Sequence, residues 1–486
     1  MNRKIGHSIG KARQRPYHKQ KLALILANQR HFALEQARRG VKVRYLIGTE
    51  PYAELLGPLA EELGSLRVMR PAERELRDQL APLFDSGALQ EIPHEGWLSL
   101  DSDFALQQGP PWRMDAFYRA VRQRTGVLMA RGKPLGGKFS FDADNRKAWD
   151  GTPEAPQELT YPRDAIKDEV LSLVAQSFAQ HPGELRPDHL PATRLDAEAL
   201  WQHAKRNCLP QFGPYEDAMS TRSTGLFHTR ISPLLNLHRL LPADVIRDAE
   251  ALDLPLASKE GFIRQVLGWR EFVHHVHEAT DGFRKLPAAI AAAAGTAPKQ
   301  PLPAAFWQGN SGLHCLDRVV RDVWREAYSH HITRLMVLGN LATLLDVSPR
   351  ALTDWFWIAY ADAYDWVVEP NVLAMACHAH GEVMTTKPYV SGAAYIDRMS
   401  NYCEGCAFDP KTTCPITRLY WHFLNRNQQR LAGNHRMAIP LRAAAQRTPA
   451  QKRADASTFT AVTSALARGT TLSPDNLPVP TAAASK

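Results

Sequence analysis

The chain has 486 residues, 44% of them hydrophobic, with a formal net charge of +9 and a pI near 9.2. That length carries two or three domains with a sizeable core, and no apolar run approaches the roughly 20 residues of a membrane-spanning helix. The basic balance favours a polyanionic partner, and residues 1–21 are basic without the apolar core of a signal peptide, so the expected compartment is the cytoplasm, where thiols stay reduced.

Residues 22–39 place apolar side chains at helical spacing and stop at Gly40. Residues 41–47 alternate as a strand, and 66–71 and 89–93 read as further short strands. Helix and strand alternate through about residue 130, an α/β pattern that predicts a mostly parallel sheet. The chain opens with a basic segment and a helix where such a sheet usually opens with a strand. Residues 110–124 read as a basic helix entered by prolines. Gly136-Gly137-Lys138 lacks the strand–loop–helix setting of a phosphate loop and reads as a turn. The expected organisation is an α/β domain over 1–130, a linker over 131–195 with one amphipathic helix, an all-α domain over 196–447 and a disordered tail over 448–486. Residues 287–303 read as an exposed loop.

Chemistry-bearing residues concentrate between Trp307 and Cys414. Cys403 and Cys406 form a CxxC, Cys414 precedes Pro415, and Cys315 completes a set of four. That spacing suits an iron–sulfur cluster, structural zinc or thiols that bind nothing. Cys208 and Cys377 stand apart and read as small buried hydrophobes. His330 and His331 begin a helical run. Adjacent helical residues diverge by about 100°, so only one should face a given cleft; either one is packed and one exposed, or one donates a proton. Trp307, Trp355, Phe356, Trp357, Tyr360, Tyr364 and Trp366 read as core or as a redox chain. His228-Thr229-Arg230-Ile231-Ser232 reads as a helix N-cap or a pyrophosphate site.

Six blocks carry a resemblance: FGPYEDAM (212–219), HTRISPLLN (228–236), EGFIRQVLGWREF (260–272), HHITRLMVLGN (330–340), TKPYVSG (386–392) and YIDRMSNYCEGC (395–406). Together they resemble the iron–sulfur bacterial cryptochromes and photolyases, the group that includes prokaryotic (6-4) photolyases. The resemblance implies an N-terminal antenna-type α/β domain and a large helical FAD-binding domain. It implies FAD contacts at His228, Thr229, Ile231, Ser232, Gln265, Trp269, Arg270, Arg334 and Asp362, with Val368 facing the flavin ring and Asn371 close by. It favours a 4Fe–4S cluster on Cys315, Cys403, Cys406 and Cys414. Trp307 and Trp355 match electron-transfer residues and Tyr364 is a further relay candidate. Phe356 stands where a relative has tyrosine, so a hop is lost or rerouted through Trp357. Tyr389 and Tyr395 match lesion-pocket residues, and His331 matches the lesion's proton donor.

The family's opening strand and its Gly-Asp-Gln motif are absent from the sequence, which argues against a ribityllumazine-type antenna. The resemblance implies light-driven repair of (6-4) photoproducts in UV-damaged DNA by a monomeric enzyme. The competing expectation is a cryptochrome-type photoreceptor with the same cofactors and no repair activity. A truncated, inactive relative is the third.

Overall fold

Residues 2–288, 290, 298 and 300–477 are described by a computed structural model. The first long helix, α1 (Lys19–Arg38), is capped by His18, whose ring accepts from Gln20 N–H, and it ends two residues before Gly40 at φ +81°. It is flanked by β1 (Asn2–Ser8) and β2 (Lys42–Gly48), which pair in parallel from Asn2↔Lys42 to Ser8↔Gly48. This corrects the expected absence of a first strand. A basic composition does not oppose strand formation, and the backbone of β1 finds its hydrogen-bonding partners in β2 across the crossover helix.

After α2 (Tyr52–Leu63), the strands β3 (Leu66–Met69) and β4 (Leu89–Ile92) form a second parallel pair joined by α3 (Arg74–Asp85). The expected strands are present, but among the described residues they form separate pairs and not one sheet. Leu80, Leu83 and Leu89 close a small core of their own beneath β3 and β4. The basic helix α4 (Met114–Thr125) follows the prolines and buries Phe117, Tyr118 and Val121. Gly136 and Gly137 take φ of +71° and +76°, and Lys138 pairs with Asp144, so this segment is a turn. Within 131–195, α5 (Ala165–Ser177) is capped by Asp164 and packs along α1.

The helical domain is built on long helices with π-helical stretches. In α6, Leu256–Ile263, Arg264–Arg270 and Glu271–Thr280 run on without a break. α7 is His314–Glu326, and α8 comprises His331–Thr333, Arg334–Gly339 and Asn340–Leu344. α9 is Pro349–Ala359, and α10 joins Asp365–Val368 to Glu369–Ala376. α11 (Ala393–Met399) and α12 (Pro415–Arg426) bracket the CxxC loop. Most of the expected loop 287–303 lies outside the described residues.

The tail departs most from expectation. Residues 449–467 form α13 (Pro449–Ala467), started by a Thr448–Gln451 capping box and packed on α12. Its few apolar residues fall on one face, so Val462 and Leu466 are buried despite the polar composition. Leu472 N–H then donates to Ser311 O (2.8 Å). The end of the tail, 478–486, lies outside the described residues. One apolar core runs from Tyr17 to Leu477, and α1 belongs to it: its buried Lys21 ammonium donates to Trp357 O (2.7 Å) and Ala363 O (2.5 Å).

Candidate active site

α6, α8 and α10 surround a cavity of about 1150 Å³, larger than most drug-sized pockets. Three of the π-helical stretches supply its wall: Gln265, Trp269 and Arg270 from the first, Arg334 from the second and Asn371 from the third. A π turn places one extra residue in the turn and re-aims the side chains around it, which is why such turns gather at functional sites. His228, Thr229, Ile231, Ser232, Asp362, His331, Tyr389 and Tyr395 line the same cavity, as do Val368 and Phe356. Trp307, Trp355 and Tyr364 do not line it.

Asp362 organises one side. Arg334 Nη1 and Nη2 donate to its two carboxylate oxygens at 3.0 and 2.9 Å, and Ser232 Oγ donates at 2.7 Å. Burial alone would raise this carboxyl, but the Arg334 guanidinium outweighs it and holds Asp362 below the usual carboxylate range. Asn236 Nδ2 donates to Asp362 O, and its Oδ1 accepts from Arg270 Nε. Arg270 lies over Trp97, 4.2 Å from the ring centre, and makes no ion pair with a carboxylate among the described residues. Burial lowers it only to about 10, so a full positive charge faces the cavity.

Both tandem histidines reach the cavity, against the expectation that one would turn away. His330 is the N-cap of α8 in extended conformation (φ −76°, ψ 168°), so the helical 100° step does not separate it from His331. His330 is buried and stacks on His228 (centroids 4.4 Å apart, 7° between planes), while the His331 side chain is 41% exposed. Desolvation drives His228 and His330 well below the usual histidine range, so both are neutral at pH 7. His228 Nε2 and His330 Nδ1 are buried without a hydrogen-bond partner among the described residues, a costly state that a polar ligand would relieve. Asp217 Oδ1 is 3.8 Å from His331 Nε2. Burial raises the Tyr389 and Tyr395 phenols, so both remain donors at neutral pH. Arg113, Arg146, Lys387, Arg398 and Arg436 also line the cavity.

The four expected cysteine ligands meet away from this cavity. Cys315, Cys403, Cys406 and Cys414 line one small pocket with Tyr402 and Phe408. Cys315 sits on the first turn of α7, the CxxC follows α11, and Cys414 is the N-cap of α12. Burial, reinforced by the neighbouring thiols, pushes Cys315 far up, and burial carries Cys403 and Cys414 to about 12. Clustered thiols that resist ionisation alone suit a cationic centre, which offsets both penalties. Cys208 and Cys377 are buried and do not line this pocket, as expected.

Comparison with known proteins draws these features together. Two family models match: "Deoxyribodipyrimidine photo-lyase-related protein" over residues 7–190 and "FAD binding domain of DNA photolyase" over 262–412. A (6-4) photolyase of Agrobacterium fabrum is 33% identical over 451 residues, covering 87% of this chain and 86% of that protein. The chain belongs to the bacterial photolyase/cryptochrome family. A crystal structure of a bacterial class III photolyase from Agrobacterium tumefaciens covers 95% of this chain and 91% of its own, with TM-score 0.55 and 16% identity, and so shares the fold. A Synechocystis cryptochrome matches 73% of this chain and 71% of its own, with TM-score 0.48 and 16% identity. The photolyase fold is a small N-terminal α/β domain on a large helical FAD domain. The matched FAD-binding region contributes Gln265, Trp269, Arg270, Arg334, Asp362 and Asn371 to the cavity. The orphaned imidazole nitrogens and the unpaired Arg270 fit FAD. Sequence reasoning did not single out Asp217, although it lies in the FGPYEDAM block, nor Trp97, nor Arg113, Arg146, Arg398 and Arg436. Their assembly here depends on contacts between distant segments.

Proposed function

We propose that this photolyase-family protein repairs (6-4) pyrimidine–pyrimidone photoproducts in DNA under blue light. The observation that carries the reading is that His331, Tyr389 and Tyr395 line the same cavity as the flavin-contact candidates, beside Arg113, Arg146, Lys387, Arg398 and Arg436. Bound FAD supplies one-electron chemistry when it absorbs light. Lys387 and Arg436, which have no carboxylate ion pair among the described residues, meet the phosphates. The poorly stacked lesion leaves the helix at reduced cost. Tyr389 and Tyr395 donate hydrogen bonds that orient it. His331, the most exposed imidazole of the cluster, donates a proton from its ring to the lesion, and Asp217 lies at ion-pair distance from the protonated ring. Asp362, Arg334 and Arg270 would hold the flavin from the cavity wall, Arg270 countering its negative charge.

Cys315, Cys403, Cys406 and Cys414 are proposed to hold a 4Fe–4S cluster, with zinc as the alternative that elemental analysis distinguishes. The deciding experiment is illumination of the purified protein with a (6-4)-containing oligonucleotide. Restored thymines, lost in His331→Ala with flavin and DNA binding intact, are expected. Flavin binding without repair by the unmodified protein would replace this reading with a photoreceptor.

A further inference from the structure

The last carbonyls of α9 have no intrahelical donor, as at any helix end, and the start of α1 supplies donors to two of them. Lys21 Nζ, 336 residues earlier in the chain, donates to Trp357 O (2.7 Å), and His18 N–H donates to Ile358 O (3.0 Å). A cation in this place also meets the negative end of the helix dipole. Lys21 then reaches past the helix end to Ala363 O (2.5 Å). Between its two carbonyls lies the turn that carries Asp362, whose carboxylate pairs with Arg334 at the cavity wall.

We propose that Lys21 is a positioning residue for flavin binding: it caps α9, fixes the turn that bears Asp362, and adds a charge that favours an anionic cofactor in the cavity. The proposal rests on the flavin reading of that cavity. Lys21 is 2% exposed and makes no ion pair among the described residues. The two carboxylates that attract it are paired elsewhere, Glu73 with Lys11 and Asp362 with Arg334. A methionine would fill similar space without burying a charge. It would also take the donor away from Trp357 O and Ala363 O, so packing alone does not account for a lysine here.

The surroundings give this residue a pH signature. Lys11, Arg15 and Tyr17 face it from the segment before α1, Glu73 from the entry to α3, and Asp362 and Tyr364 from the turn itself. The ammonium lies 4.8 Å from the ring centre of Tyr17 and 5.4 Å from that of Tyr364. Burial raises both phenols, so they stay neutral. Burial is also the largest influence on Lys21 and lowers it to about 7; Glu73 and Asp362 oppose that fall, while Lys11 and Arg15 add to it. An anion held beside Asp362 favours the protonated form. Flavin retention is therefore full while Lys21 is charged and is lost as pH rises through its titration.

In the test, flavin-loaded protein is diluted into buffers from about pH 6 to about pH 9, and release is followed by the fluorescence of free flavin. In unmodified protein release should accelerate about fivefold or more over that rise. Lys21→Met should release flavin fast at every pH. Lys21→Arg, which stays charged throughout, should release it slowly at every pH. Glu73→Gln removes a charge outside the cavity that favours protonated Lys21, and should move the rise to lower pH. This variant keeps the proposal testable if neither substitution at the buried site folds. A pH-independent rate in unmodified protein, an undiminished rise in folded Lys21→Met, or an unmoved rise in Glu73→Gln would overturn the proposal and leave the flavin reading intact. Purified protein without flavin would overturn both.

Discussion

Asp362 and Arg334 illustrate how a buried charged pair serves a cavity. Both are withdrawn from bulk water, and each is tolerable because the other is there. Asp362→Ala leaves a buried guanidinium unpaired, which costs about 3–5 kcal/mol. The expected outcome is a lower melting temperature together with loss of bound flavin, read by thermal denaturation and visible absorption. Glu369 offers the clearer pH signature. Burial raises its carboxyl, but His277 Nε2 at 3.0 Å and Arg350 Nη1 at 2.7 Å overcome that and hold it at about 2. A depressed folded-state value stabilises fully above the unfolded value of about 4.5, and the gain is lost as pH falls towards 2. That gain is on the order of 3 kcal/mol. Glu369→Gln should therefore flatten the acid limb of stability between those values, measured by denaturant titration at stepped pH.

Helices carry the site through their irregular turns. α6, α8 and α10 each change to π-helical geometry where they meet the cavity, whereas the fourth π stretch, Ala204–Cys208, lines none of it. Two elements outside the cavity also have measurable consequences. α13 covers α12, whose N-cap is Cys414, and Leu472 seals the strap against Gly312. Truncation after residue 447 exposes the partners of Val462, Leu466 and Leu472. At roughly 1.5–3 kcal/mol for each buried aliphatic side chain, a drop in melting temperature of many degrees is expected by calorimetry. An unchanged melt would return these residues to the status of a tail. The CxxC loop between α11 and α12 has little regular structure of its own. On the proposed 4Fe–4S assignment, Cys403→Ser with Cys406→Ser should lower the iron content found by elemental analysis and destabilise this loop.

The net charge of the molecule, +9, acquires meaning from where its charges lie. Lys387 and Arg436 face the cavity without carboxylate partners among the described residues, and burial, helped by the like charges of Arg436 and Arg146, lowers Lys387. A polyanion offsets those like charges. DNA affinity should fall steeply with salt, and Lys387→Ala with Arg436→Ala should reduce the slope of log K against log salt by about 2. An unchanged slope would place the DNA elsewhere.

The sequence by itself determined the residues whose meaning is local or carried by motif. The helix at 22–39, the strands at 41–47, 66–71 and 89–93, and the family blocks that line the cavity were legible from periodicity and resemblance. So was the set of four cysteines that shares a pocket. Tertiary structure decided what depends on a distant partner. β1 is a strand because β2 lies beside it, and α13 is a helix buried along α12 despite its polar composition. His330 faces the cavity because the helix begins one residue later, a boundary that composition does not mark. Lys21 stands outside the six family blocks, and its grip on Trp357 O and Ala363 O exists only once α1 packs against the end of α9. Periodicity encodes which face of an element is apolar; it does not encode which other element that face will meet.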